Sequence, residues 1–249
     1  MAYTDIDDPA AHFNTVLYAG NGSSQSISGL NFAPDWVWIK SRTDTRKHNL
    51  YDVVRGTNKR LVSNADSAED EPDSNAGVNA FNSDGFTVGS ETDVNGSSRD
   101  FVSWNWLAGG SASSNSNGSI TSSVSANTTA GFSIVTYTGT GSAATVGHGL
   151  GAVPKMFWTK RRDSSESWGV YHHTQGAGKF LRLESTNPVD TSSTVWNNTT
   201  PTSSVFSIAV GGISNTSSGT YLAYCFAEKK GYSKFGSYTG NGNADGTFV

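Results

Sequence analysis

Residues 131–162 decide the fold: they open with GFSIVTYTGTG (131–141) and close with VPKMFWTKRR (153–162). An aromatic residue begins a short apolar run, which ends at a Tyr and a Gly-x-Gly turn. Small polar residues follow, and Pro154 then introduces an aromatic segment that ends in Lys and Arg. Apolar residues in short alternating runs between glycine-rich turns predict β-strands.

The same pattern occurs earlier, where FNTVLYAGNG begins at Phe13. Tyr18 and Tyr137 are 119 positions apart, and beyond the next polar loop the offset is a steady 120. The matched pairs include Pro34 and Pro154, Trp38 and Trp158, Lys40 and Lys160, Phe86 and Phe206, and Asn95 and Asn215. Such a long register indicates two copies of one domain, each long enough to have its own core.

A third copy of the opening motif, YSKFGSYTGNG, begins at Tyr232. We therefore predict an all-β protein with two tandem antiparallel β-sandwiches and the first strand of a third repeat. The predicted parts are a leader at 1–12, the first repeat at 13–107, a linker at 108–130, the second repeat at 131–228 and the start of a truncated third repeat at 229–249.

The predicted linker, residues 108–130, is rich in Gly, Ser, Asn and Thr and has no charged or aromatic residue. Such composition is typical of flexible segments, so we expect the two repeats to be loosely tethered. Residues 234–238 are expected to form a strand that pairs with the second repeat or with a neighbouring chain, because an isolated strand leaves its backbone groups open.

Composition supports strands rather than helices and argues against several functions. Gly is 28 of 249 residues and charged residues are only 15%, which suits short strands joined by polar turns. A net charge of −4 does not favour a nucleic-acid partner. The one cysteine, Cys225, excludes an intrachain disulfide. No apolar run is long enough to insert in a membrane, and the acidic start MAYTDIDDPA predicts no signal peptide.

Two loops contain candidate binding residues. Trp196 lies in a polar loop beside Asn197 and Asn198, and an aromatic ring flanked by amides is the chemistry of a sugar-binding platform. The alternative is a ring packed beneath its own loop. Asp66, Glu69 and Asp70 belong to a run of five carboxylates in residues 66–73. Such oxygen clusters bind Ca²⁺, although the regular calcium-loop spacing is absent and a solvated acidic loop is the alternative.

Residue patterns for catalysis are absent from the sequence. There is no Gly-x-Ser-x-Gly motif, and the acidic residues of the second repeat specify no pair of the kind that glycosidases use. His172 and His173 are adjacent on a predicted strand, where neighbouring side chains point to opposite faces. We therefore expect a non-enzymatic protein with no required cofactor.

Three stretches support a family resemblance: YTDIDDPAAHFNTVLYAGNG, the motif GFSIVTYTGTGSAATVGHGLGAVPKMFWTKRRDSSESWGVYHH, and the strand DFVSWNWLAGG. They resemble the repeat domains of tail-fibre and other virion structural proteins of bacteriophages, especially those of marine and cyanobacterial hosts. The resemblance implies sandwiches of the jelly-roll or concanavalin A-like (laminin-G-like) type, assembly in the bacterial cytoplasm, a place in the virion and other virion proteins as partners. It suggests a homotrimer.

The function expected from this resemblance is host attachment, with the polar loops contacting glycans of the host surface. Repetition would then raise avidity without tight individual sites. Two alternatives stay open. One is a capsid decoration or fibre spacer with no ligand, and the other is a polysaccharide depolymerase, which would need a cleft with paired carboxylates.

Overall fold

The computed structural model describes residues 3–247 and confirms an all-β protein. The strands up to residue 107 are β1 (Phe13–Ala19), β2 (Gln25–Ser28), β3 (Trp36–Ser41), β4 (Asn49–Asp52), β5 (Gly56–Val62), β6 (Val78–Asn82), β7 (Gly85–Val88) and β8 (Asp100–Trp106). Those that follow are β9 (Ser113–Asn115), β10 (Ser122–Asn127), β11 (Phe132–Thr138), β12 (Ala144–Gly147), β13 (Met156–Arg161), β14 (Gly169–His172), β15 (Lys179–Arg182), β16 (Asp190–Thr191), β17 (Val205–Ile208) and β18 (Thr220–Phe226). Single helical turns occur at Pro9–Ala11, Asp73–Asn75, α1 (Thr92–Asn95) and α2 (Ser193–Trp196).

Both repeats have the same strand order. The larger sheet of the first repeat runs β1-β8-β3-β4-β5, and the second repeat has the equivalent order β11-β18-β13-β14-β15. A smaller sheet, β2-β7-β6 in the first repeat and β12-β17 in the second, packs against each larger one. The paired strands are antiparallel. This is the order that two copies of one domain would share.

The alternation of side chains along β3 explains how the layers stack. Val37 and Ile39 face the small sheet β2-β7-β6 and join the core of the first repeat. Trp36 and Trp38 face the other way, toward β11, β13 and β18 of the second repeat. Successive residues of a strand point to opposite faces, so one strand with apolar residues on both faces supplies two cores.

The result is four stacked layers with three apolar interfaces. Two interfaces are the cores inside each repeat. The third, here called the inter-repeat layer, lies between the two larger sheets. Its buried members are Trp36, Leu50, Leu61, Ala108, Phe132, Ile134, Trp158, Trp168, Val170, Leu222, Tyr224 and Phe226. The expectation of loosely tethered repeats is therefore wrong, because the larger sheets pack directly on each other.

The glycine turns that end β1 and β11 are held in the same way in both repeats. A β-carbon on Gly20 would lie 2.3 Å from the carbonyl oxygen of Gly96, and one on Gly139 would lie 2.3 Å from that of Thr216. Only glycine permits this approach. Asn95 and Asn215 lie beneath the turns and donate from their amides to nearby backbone carbonyls. The matched asparagines of the sequence repeat are thus buried supports for the turns.

Residues 108–130 differ from the prediction, because they contain β9 and β10 rather than a flexible linker. β10 pairs with β11, and β9 pairs with β10. Ile120 and Val124 are buried in the core of the second repeat. The Ser-rich composition of this segment does not predict a strand, because only isolated apolar residues lie on its inward face. The hydrogen bonds of the ladder form between backbone groups and so do not depend on side-chain type.

The third copy of the opening motif does not form the strand expected at 234–238. An isolated bridge joins Lys229 and Ser233, and the described residues after it lie outside any sheet. Phe235 instead packs against Phe226 at the edge of the inter-repeat layer. Residues 248–249 of the predicted third repeat lie outside the described range. Among residues 3–247, no helix has the length and apolar character needed to cross a membrane.

Candidate functional site

Trp196 is not a sugar platform, because its side chain is 0% exposed. The helical turn α2, capped by the Ser192 hydroxyl, directs Trp196 into the core of the second repeat. Its ring lies edge-on to Phe157, with 4.8 Å between ring centroids. The matched position 120 residues earlier is Ala76, so the first repeat has no indole at this place in its core. The alternative interpretation, a ring packed beneath its own loop, is the correct one.

Asn197 and Asn198 remain exposed at the end of α2. Both have left-handed backbone angles, with φ of 52° and 48°, which asparagine tolerates better than most residues. Their role in the structure is to end the helical turn. The predicted three-residue glycan site is therefore not assembled, since the amides are at the surface and the ring is in the core.

The acidic loop does not form the predicted calcium site. Glu69 accepts hydrogen bonds from Arg55 at 3.0 Å and from Arg162 at 2.8 and 3.0 Å. Asp70 pairs with Arg60, and the backbone carbonyl of Asp66 accepts from Lys160. No cluster of three or more potential metal-ligating side chains occurs within residues 3–247. The carboxylates of Glu69 and Asp70 neutralise arginines, which leaves their oxygens already engaged.

Glu69 belongs to a buried ionic network that joins the two repeats. Arg55 donates from Nε to Asp52 at 2.6 Å, and both side chains are fully buried. The hydroxyl of Tyr224 donates to the same carboxylate at 2.7 Å. Asp52, Arg55 and Glu69 come from the first repeat, whereas Arg162 and Tyr224 come from the second. Buried charges are tolerated when they are paired and hydrogen-bonded in this way.

The pKa of Glu69 reflects this position. Burial by itself raises the pKa of the carboxyl group, but hydrogen bonds from Arg162 and Arg55 and the charges of both arginines outweigh burial and lower it. Glu69 thus stays ionised throughout the neutral range. A carboxylate that is ionised at neutral pH and held between two guanidinium groups stabilises the contact between the repeats through charge pairing.

Lys160 is a second polar contact between the repeats. Its side chain is buried, and Nζ donates to the carbonyl oxygens of Asp66, Arg161 and Glu166 at 3.0, 2.9 and 2.8 Å. Burial lowers the pKa of Lys160 to about 8, and the neighbouring acidic residues oppose that shift. Three carbonyl acceptors satisfy all three N–H groups of the ammonium. The equivalent Lys40 of the first repeat is exposed.

The histidines also have structural partners. The rings of His172 and His173 stack at 5.2 Å, contrary to the expectation that they point apart, because β14 ends at His172. His172 bonds to Thr174, and His173 bonds to the carbonyl of Phe235. His148 is buried, accepts from the Leu150 amide and contacts the Thr202 carbonyl.

An apolar crevice of about 310 Å³ opens at one end of the inter-repeat layer. Phe13, Trp38 and Trp106 line it from the first repeat, while Met156, Trp158 and Phe226 line it from the second. The segment Tyr232–Phe235 lies at its edge. None of its lining side chains carries a charge at neutral pH, because the one titratable group among them is Tyr232, whose pKa burial raises to about 12.

Sequence reasoning missed the ionic contacts across the two repeats, although a signal was present. The acidic run 66–73 and the basic cluster 160–162 are opposite in charge, and neither pattern by itself identifies the other as its partner. The structure brings them together, with Glu69 accepting the Arg162 side chain and donating its own backbone N–H to the Arg162 carbonyl. Complementary charge runs in two copies of a domain are a reason to expect contact between the copies.

Comparisons with known proteins give one family. A search of the curated proteins found no match, and neither did a search of the solved structures. The family model for a domain of unknown function (DUF7483) matches residues 8–249, a range that includes both repeats and the inter-repeat layer. Since the match covers nearly the whole sequence, the chain belongs to the DUF7483 family.

Proposed function

We propose that this chain is a non-catalytic structural module of a bacteriophage virion, acting as a fibre spacer or a capsid decoration. The observation that carries the proposal is the inter-repeat layer, which joins two sandwiches into one body. Trp36 is fully buried at its centre and stacks on Trp106 and Tyr224 with centroid distances of 4.1 and 4.3 Å. Aromatic contacts of this kind add to the stabilisation from apolar burial.

A spacer needs to be rigid along its length, and it needs no ligand-binding surface. The antiparallel ladders supply the first, and the two repeats cannot rotate freely about residues 108–130 while the larger sheets are in contact. The virion assignment comes from the resemblance of the sequence to phage structural repeats. The physical support is that aromatic residues of both repeats pack in the inter-repeat layer, and that the ion pair of Arg162 with Glu69 joins the repeats beside it.

Host attachment is the second candidate, and it now lacks its aromatic platform. What supports it is the exposed pair Asn197 and Asn198. These amides can hydrogen-bond sugar hydroxyls, but a polar surface without a ring supplies little apolar contact area to a sugar face. The spacer function is therefore favoured.

The two functions differ in the location of the chain and in its response to loss of the amides. Cryo-electron microscopy of purified particles is expected to place the module along a shaft or on the capsid, with residues 193–199 away from a distal tip. The variant Asn197→Gly with Asn198→Gly removes both amides while keeping the left-handed backbone. It should bind host cells and glycan arrays no differently from the unmodified chain. A distal location together with binding lost in this variant would contradict the spacer function.

A further inference from the structure

Strand β1 forms one edge of the larger sheet of the first repeat. The backbone N–H of Leu107 bonds to the carbonyl of His12, and that of Gly20 bonds to the carbonyl of Arg99. In an antiparallel ladder these contacts alternate, so the even-numbered residues of β1 bond to β8. The odd-numbered residues, with Leu17 near the middle, direct their N–H and C=O groups to the open side.

The second repeat shows what such an edge accepts. Its equivalent strand, β11, pairs with β18 on one side and with β10 on the other. In that ladder Ser125 lies opposite Ile134 and Ser123 lies opposite Thr136. Ile134 and Thr136 are the counterparts of Thr15 and Leu17 at the 119-residue offset. The position that β10 occupies beside β11 has no strand beside β1 within residues 3–247.

The other sheet edges in the described chain are shorter or protected. β9 and β16 have three and two residues, and the strands of the small sheets have four or five. β5 is as long as β1, but it contains Lys59 and Arg60, and Asp70 bridges to Arg60 along its outer side. β1 has seven residues with no charge, proline or glycine. Long uncharged edges are the ones that pair with another strand.

Three residues of this edge are exposed, Thr15, Leu17 and Ala19, and the largest of them is apolar. Leu17 is 62% exposed, although it lies in the middle of a strand. Two of the outward backbone groups have side-chain partners, since Asn14 accepts from the Thr15 N–H and Gln25 donates to the Ala19 carbonyl. The outward groups of Leu17 lie between them. An apolar residue at the centre of an open ladder suits a partner strand that is itself apolar and uncharged.

The leader is the segment that would cover β1 by analogy with β10, and it is engaged elsewhere. The N–H of Asp5 donates to the carbonyl of Lys230, and the N–H of Lys230 donates to the Asp5 carboxylate. The contact ties the leader to the segment that follows the second repeat. A strand that pairs with this edge would therefore come from another molecule, and β1 of a second copy has a matching length, no charge and an exposed leucine.

We propose that β1 is a self-association surface, through which two copies of this chain pair antiparallel about a two-fold axis at Leu17. In this register Leu17 faces Leu17 of the second copy and the two exchange backbone hydrogen bonds. Thr15 faces Ala19, and there the partner strand replaces the Asn14 side chain at the Thr15 N–H and the Gln25 side chain at the Ala19 carbonyl. The pair would join two five-stranded sheets into one, and it would bury the leucine side chains against each other. β1 contains no charged residue, so the two paired strands have no like charges that would repel each other. The inference rests on the edge geometry and not on the virion assignment.

Sedimentation of the 249-residue chain across a concentration series up to about 1 mM tests the proposal. A reversible monomer–dimer equilibrium is expected. Leu17→Lys places two ammonium groups opposite each other and should weaken association by at least about tenfold. The matched control is Val210→Lys, an exposed apolar residue (59%) away from β1, which should leave the dimer unchanged. Circular dichroism and thermal unfolding verify that both variants fold.

A symmetric cross-link tests the register. Opposite residues of a hydrogen-bonded antiparallel pair have Cα atoms about 5.5 Å apart, which is within the range that a disulfide spans. Leu17→Cys should therefore form a disulfide-linked dimer under mild oxidation, whereas Val210→Cys should not. The native thiol of Cys225 is buried and does not compete. A monomer at every concentration, a trimer, or a dimer that Leu17→Lys leaves intact would overturn the proposal.

Discussion

Glu69 lies between Arg55 of the first repeat and Arg162 of the second. Its pKa is lowered in the folded chain, so the folded state binds its proton less readily than the unfolded state does. The contribution of Glu69 to stability is therefore fully present above the ordinary glutamate pKa of about 4.3 and is lost as the pH falls through the lowered folded value. Acid should loosen the contact between the repeats at this point.

Glu69→Gln removes the charge but keeps the shape of the side chain. The free energy of unfolding near pH 7 is expected to fall by about 2 kcal/mol, because hydrogen bonds to charged groups contribute about 1.5–3 kcal/mol. The variant should also lose part of the decline in stability between about pH 5 and pH 2. Urea unfolding across this pH range measures both effects. Glu71→Gln in the same loop is the control, since its carboxylate is exposed and its loss should change stability by less than about 0.5 kcal/mol. Equal effects at both positions would contradict the role of Glu69.

Lys160 and Lys40 occupy matched positions in very different surroundings. Lys160 is buried against three carbonyl oxygens, while Lys40 is exposed. Lys160→Met should destabilise the chain by about 2–3 kcal/mol, because buried carbonyl groups lose their donor. Lys40→Met should stay within about 0.5 kcal/mol of the unmodified chain. Chemical unfolding of both variants checks the pair, and a stable Lys160→Met variant would show that the carbonyls find other partners.

At the scale of elements, residues 108–130 form part of the second repeat. β10 forms a ladder with β11, and Val124 packs in the core opposite Val135. Hydrogen exchange is expected to be slow for the ladder amides of Ser123–Asn127, because they are released only when the sheet opens. Fast exchange through the whole of 108–130 would instead match the flexible linker that its composition predicts.

Val124→Asp should destabilise the chain by about 3 kcal/mol or more, since it buries an unpaired carboxylate. Ser114→Asp on the exposed side of β9 is the matched control, and it should cost less than about 0.5 kcal/mol. Thermal unfolding compares the two variants. If both changes were tolerated equally, the core position of Val124 would be wrong.

At the scale of the whole molecule, the inter-repeat layer makes the two sandwiches one cooperative body. Calorimetry should show a single unfolding transition with equal calorimetric and van't Hoff enthalpies. Trp36→Ala removes the central ring of the layer, which is expected to cost about 3–5 kcal/mol and to lower the midpoint of that one transition. Two separate transitions in the unmodified chain would mean that each repeat is stable alone and that the layer contributes little.

Much of the architecture could be predicted from local patterns. Alternating apolar residues, Gly-x-Gly turns and the 120-residue offset predicted the strands around Phe13, Trp36, Phe132 and Met156, and the structure confirms them. These features depend on the two-residue period of a strand and on backbone angles that glycine permits. The candidate sites were predicted less well, because the burial of Trp196 and the partners of Glu69 depend on residues distant in sequence.

The sequence by itself determined the fold class, the duplication and the lack of catalytic motifs. The first follows from the two-residue period of the strands, the second from the 120-residue offset, and the third from residue types and their spacing. Only the tertiary structure decided which face of each sheet is covered and by what. In the structure Trp196 is a core residue and not a surface platform, residues 108–130 contain two strands and not a flexible linker, and Glu69 of the acidic loop pairs with Arg162 of the other repeat. The physical reason is that burial and charge pairing arise between segments far apart in the chain, where no short-range pattern records the partner.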